Sequence, residues 1–161
     1  MTQDTAVYPG FFDPFTLGHL NIVERATQVF HQVIVVVAED SPKKSMFLPE
    51  ERMRIIKEIF KNSKKVKVDC FNGLLVNYLR KTNTKILLRG IRTVSDFEYE
   101  YQMALANKTM ADDVETLFMM TEGKYSFLSS TIIKEIARLG GDITPMVPPE
   151  VVKWVNKRYE T

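Results

Sequence analysis

The sequence predicts an α/β fold, a doubly wound five-stranded parallel sheet, on three observations. Short apolar runs of strand length alternate with segments of helical period along the whole chain. The run Val33-Ile34-Val35-Val36-Val37 is apolar on both faces, as in a parallel strand covered by helices on each side. Polar and glycine residues recur just after the apolar runs, where ligands of such sheets bind.

The expected strands are residues 5–8, 33–38, 66–70, 85–88 and 116–120. The helix expected over 17–30 places Ile22, Val23, Ala26, Val29 and Phe30 on one face. Pro49 opens the next as its first residue, with Glu50 and Glu51 in the first turn and Met53, Ile56, Ile59 and Phe60 inward. A short helix follows over 74–80. Ser95-Asp96-Phe97-Glu98 has the Ser-x-x-Glu form of a capping box, opening a helix with Phe97, Tyr101, Ala104 and Leu105 on one side. The helix over 131–139 stops at Gly140-Gly141, and Pro148-Pro149 opens a last one with Val152 and Val155 inward. No linker or internal repeat interrupts the pattern, so one domain over 1–161 is expected.

Bulk properties exclude several classes. A balance of 22 basic against 20 acidic residues gives no field for nucleic acid. No apolar run is long enough to span a bilayer, and Met1-Thr2-Gln3-Asp4 has no signal-peptide pattern. The single cysteine, Cys70, rules out an internal disulfide and reads as a small apolar residue. A cytoplasmic protein is expected.

Four segments carry chemistry. In the first, Tyr8-Pro9-Gly10-Phe11-Phe12-Asp13-Pro14-Phe15-Thr16-Leu17-Gly18-His19, Gly10 permits a sharp turn and Thr16 caps the following helix. Gly18 and His19 fall in its first turn, where unpaired N–H groups favour phosphate. His19 is either a structural residue or a donor to a phosphoryl oxygen. The second segment, Ser41-Pro42-Lys43-Lys44-Ser45, offers lysines that are either solvated or in reach of a phosphate. The third is Arg89-Gly90-Ile91-Arg92, directly after an apolar run, and arginine matches phosphate bidentately. In the fourth, Tyr125-Ser126-Phe127-Leu128-Ser129-Ser130-Thr131, a helix start carries more hydroxyls than capping requires. All four fall at one edge of the expected sheet, and none supplies a metal cage or a paired-carboxylate set. The pattern suits a polyphosphate.

The first, third and fourth segments resemble the phosphopantetheine adenylyltransferase family over essentially the whole chain. The most specific block is Arg89-Gly90-Ile91-Arg92-x-Val94-Ser95-Asp96-Phe97-Glu98-Tyr99-Glu100. Lys43 and Glu50-Glu51-Arg52 also fit. The resemblance implies a Rossmann-like nucleotidyltransferase fold and transfer of AMP from ATP to 4′-phosphopantetheine in coenzyme A biosynthesis. It implies catalytic roles for His19, Lys43 and Arg92, and phosphopantetheine contacts at Phe11, Lys43, Leu75 and Arg89. It implies an ATP site of Phe11, Phe12, His19, Gly90, Ile91, Arg92, Glu100, Tyr125, Ser126, Phe127, Leu128, Ser129, Ser130 and Thr131. Mg2+ accompanying ATP, feedback binding of coenzyme A and a homohexamer built as a dimer of trimers are also implied. One position departs: Phe11 stands where the family pattern has Ser or Thr. That keeps open an adenylyltransferase with another acceptor, or a weakened nucleotide-binding homologue.

Overall fold

The computed structural model describes residues 5–39 and 44–159. Five strands, β1 (Thr5–Gly10), β2 (Gln32–Ala38), β3 (Val66–Phe71), β4 (Ile86–Ile91) and β5 (Glu115–Met120), form one all-parallel sheet in the order β3-β2-β1-β4-β5. The order reverses between β1 and β4, so the switch point lies there. β1 matches β2 over six positions, and β4 likewise matches β5. β1 and β4 pair only at Ala6↔Ile86 and Val7↔Leu87. Past Val7 and Leu87 the two central strands part, and this gap in the ladder makes the crevice.

Six α-helices cover the sheet: α1 (Leu17–Val29), α2 (Pro49–Ile59), α3 (Leu75–Thr82), α4 (Val94–Met110), α5 (Ser130–Arg138) and α6 (Pro149–Tyr159). One apolar core joins Ala6, Tyr8, Val33, Val35, Val37 and Leu88 to α1, α2, α5 and α6; a smaller one joins Val7, Val36 and Leu87 to α3. The alternation of adjacent strand residues between the clusters follows from the two-residue period of a strand.

The sequence places these elements within a few residues, with two differences. β4 continues through Arg89, Gly90 and Ile91, because β5 pairs with it up to Ile91↔Met120. α4 is capped by Thr93, whose hydroxyl accepts the Asp96 N–H at 3.2 Å, and not by Ser95. Phe97, Tyr101 and Leu105 of α4 are about half exposed, and Asn107 is the one buried residue of that helix.

Candidate active site

The parting of β1 and β4 opens a cleft of about 650 Å³. That is within the usual range for small-molecule sites. Its rim comes from the loop after β1, the ends of β4 and α3, the inner side of α4 and the start of α5.

The loop after β1 is built around Phe12. Its backbone is left-handed at φ 52°, an unfavourable region for a side chain of that size. The ring compensates by packing on Tyr8, Phe15 and His19, at centroid distances of 5.4, 5.3 and 5.0 Å. Gly10 is required by that ring, since a Cβ at Gly10 would lie 2.7 Å from Phe12 Cζ. Beneath the loop lies Arg52, 1% exposed, whose Nη1 donates to the carbonyls of Phe11 (2.7 Å) and Ala38 (3.1 Å). Planarity of the peptide then turns the Phe12 N–H away from Arg52.

At the start of α1, Thr16 and His19 cap each other. The His19 N–H donates to Thr16 Oγ1 at 3.2 Å, and the Thr16 N–H donates to His19 Nδ1 at 3.0 Å. An acceptor at Nδ1 puts the proton of the neutral ring on Nε2. Burial first, then Arg92 and Arg89, holds the His19 pKa down at about 3. His19 is therefore a neutral Nε2–H donor lining the cleft. A Cβ at Gly18 would meet Thr16 Oγ1, the Tyr125 carbonyl and Thr121 Cγ2 at 3.4–3.8 Å, ordinary contact distances, so packing does not demand glycine there.

Each cation that the described residues bring to the cleft has a carboxylate partner. Arg89 forms a two-pronged pair with Glu100 (2.7 and 2.6 Å) and donates to the Pro9 carbonyl at 2.7 Å, using three of its five N–H groups. Arg92 holds Asp96 Oδ2 at 3.1 Å and donates to the Leu128 carbonyl, tying β4 to the loop before α5. Lys134 of α5 reaches Asp13 Oδ2 at 3.1 Å. Asp13 also accepts the N–H groups of Met46 (2.8 Å) and Phe47 (2.9 Å), anchoring the chain before α2. The carboxylates hold these cations at the lining of the cleft.

Among the sequence-expected residues, Phe11, Phe12, His19, Leu75, Arg89, Gly90, Arg92 and Glu100 line the cleft, as do Leu128, Ser129, Ser130 and Thr131. Ile91 is buried behind it, while Tyr125, Ser126 and Phe127 do not line it, Phe127 being 63% exposed. Lys43 lies outside the described residues. The hydroxyls of the fourth segment divide their work. Ser129 caps α5 through the Ile132 N–H, Ser130 donates to the Pro14 carbonyl at 2.8 Å, and Thr131 is exposed at the cleft. Phe71, Leu74, Leu75 and Met103 give one arm of the cleft an apolar lining. Sequence reasoning missed Asp13 and Lys134. The available signal was a lysine near a helix N-terminus, where the helix dipole disfavours a cation without a partner.

Among the described residues no group of three or more His, Cys, Asp and Glu side chains could hold a metal. Among the same residues no helix is long and apolar enough to cross a membrane.

A parallel sheet with a neutral imidazole and guanidinium groups at its switch point is the architecture of a nucleotide-binding protein. Residues 7–136 match the cytidylyltransferase-like family model. A crystal structure from Vibrio parahaemolyticus, provisionally described as a nicotinate-nucleotide adenylyltransferase, superposes with a TM-score of 0.66 at 16% identity, covering 95% of this chain and 98% of that one. It shows the shared fold. The phosphopantetheine adenylyltransferase of Geotalea daltonii is 49% identical over 99% of both chains. That of Leptospira biflexa is 47% identical over 98% of both. That of Clostridium botulinum strain Eklund 17B is 50% identical over 95% of this chain and 96% of its own. The chain belongs to the phosphopantetheine adenylyltransferase family.

Proposed function

We propose that this chain transfers the adenylyl group of ATP to 4′-phosphopantetheine, giving dephospho-coenzyme A and pyrophosphate in coenzyme A biosynthesis. The reading is carried by one coincidence: the whole-length family match falls on a chain whose central strands part over converging phosphate donors. An acceptor phosphate oxygen bonds to the α-phosphorus of ATP, and the bond from that phosphorus to the pyrophosphate oxygen breaks. A phosphate monoester has a second pKa of about 6, so it is largely dianionic at neutral pH. No general base is needed. The barrier is electrostatic, and fixed donors with in-line positioning lower it.

His19 Nε2–H and Lys43 would stabilise charge on the transferred phosphoryl group. Gly90, Ile91, Arg92, Glu100 and the segment 125–131, with the Phe11 and Phe12 backbone, would hold ATP. Phe11, Lys43, Leu75 and Arg89 would hold phosphopantetheine, its arm along the apolar side of the cleft. Adenylyl transfer from ATP generally uses a divalent metal. The carboxylates lining the cleft are already paired, so Mg2+ would enter on the ATP phosphates rather than in a protein cage.

Assembly as a homohexamer in the cytoplasm is part of the proposal, with 1–161 as one catalytic domain and coenzyme A as a feedback ligand. The assembly has support in α4 and β5, which leave Phe97, Tyr101, Leu105, Leu117 and Met120 exposed. Pyrophosphate release from ATP is the test, with 4′-phosphopantetheine and nicotinate mononucleotide as rival acceptors. Release with the nucleotide alone would overturn the assignment. A second reading, a changed acceptor, is favoured only by Phe11, 46% exposed at the cleft. Turnover of Phe11→Thr compared with the native protein decides whether a hydroxyl is missed there.

A further inference from the structure

Tyr8 is a residue that the reaction as described does not use. It is 5% exposed, and its hydroxyl makes no hydrogen bond to any described residue. Another buried tyrosine behaves differently: Tyr78, 7% exposed, donates to Asp69 Oδ2 at 2.9 Å. A buried hydroxyl is normally bonded, since it has lost water and gained nothing otherwise. The Tyr8 hydroxyl is not sealed in protein either. Arg52 Nε is the one side-chain nitrogen or oxygen among the described residues that is both enclosed and without a partner. Tyr8 lines the cleft, so the cleft is where its hydroxyl opens.

Its surroundings indicate what the hydroxyl meets. Tyr8 is the first residue of β1 beyond the pairing with β4. A Cβ at Gly90 would stand 3.4 Å from the Tyr8 hydroxyl and 3.1 Å from Ile22 Cγ1, so the absent side chain of Gly90 leaves room beside the hydroxyl. The other side of the Tyr8 ring packs on Phe12, which packs edge-on against His19. Arg89 and Arg92 are its charged neighbours, with Glu100. Burial outweighs the two arginines and pushes the phenol far above its usual range, so it remains a protonated donor at any working pH. Arg89 and Arg92 each keep N–H groups beyond their bonds to Glu100 and Asp96, and these beside a neutral phenol donor suit an anionic acceptor.

We infer that the Tyr8 hydroxyl donates a hydrogen bond to a phosphate oxygen of a bound substrate, as a further substrate-contacting residue beside His19. This deepens the proposed reading of the cleft and rests on it. The phosphate belongs either to ATP or to the acceptor, and binding measurements separate the two. Tyr8→Phe keeps the ring and removes the donor; Tyr78→Phe serves as the comparison. Without ligand, Tyr8→Phe should melt at or above the native temperature, whereas Tyr78→Phe should melt lower. Calorimetric titration with MgATP, with pyrophosphate and with 4′-phosphopantetheine should show one or more affinities reduced about 10- to 100-fold in Tyr8→Phe. Loss confined to 4′-phosphopantetheine assigns the acceptor phosphate; loss with MgATP or pyrophosphate assigns the nucleotide. Affinities and turnover within twofold of native would overturn the inference. So would a ligand-free Tyr8→Phe protein that melts as low as Tyr78→Phe, which would mark the hydroxyl as structural. Native turnover is measured in parallel. A native protein that ignores 4′-phosphopantetheine while its MgATP affinity still depends on Tyr8 would sink the acceptor assignment and leave this inference standing.

Discussion

The chemistry of the site depends on where single protons and donors sit. Because Nδ1 of His19 accepts the Thr16 N–H, the ring contributes a donor and not a charge. Its alanine variant should keep the fold and lose turnover by about 100- to 1000-fold, the usual effect of removing one preorganised donor. Near-native turnover in steady-state assays of folded His19→Ala protein would refute the role. The same residue shapes stability. The folded protein takes up the His19 proton only near pH 3, whereas the unfolded chain does so near pH 6.5. Between those values the unfolded state binds more protons, so this contribution is complete above pH 6.5 and is lost as pH falls toward 3. His19→Asn removes that proton uptake. Its urea midpoint should fall less than the native one between pH 7 and pH 4. Sequence alone singled out His19 but not its protonation state, which depends on burial and on arginines some seventy residues away in the chain. The Asp13–Lys134 pair, separated by 121 positions, left no local trace either.

Elements were legible where local chemistry decides them and less so where a neighbour does. Thr16, Pro49 and the Gly140 stop are local signals, and the helices they bound appear as expected. The sequence pattern ends the fourth apolar run at Leu88, just before Arg89. Pairing with β5 keeps it on β4, and the strand period then turns Arg89 away from Gly90. Thr93 and Ser95 are both good caps. The fold uses Thr93, which suits the contact of Asp96 with the Arg92 backbone and guanidinium. Thr93→Ala should therefore cost about 1 kcal/mol, and Ser95→Ala less than about 0.5 kcal/mol, in chemical denaturation. Gly10→Ala should be more damaging than either, at about 1–3 kcal/mol with reduced turnover, since the new methyl group forces Phe12 off its contacts.

For the whole molecule, α4 matters through the apolar side that its period predicts. Phe97, Tyr101 and Leu105 share a face, and that face is turned outward in the single chain. If the proposed assembly covers it, Phe97→Glu should yield a smaller particle in light scattering. An unchanged mass would remove this surface from the interface. The gap between β1 and β4 has a wider consequence. The two parts of the sheet, β3-β2-β1 and β4-β5, are sewn together along only two matched positions. A substrate held by the loop after β1 on one side and by Arg89 and Arg92 on the other acts as a third stitch. Occupancy should then tighten the seam more than either half. Hydrogen exchange should show the amides of Gly90, Ile91 and Phe12 slowing on addition of MgATP, while those between β1 and β2 change little.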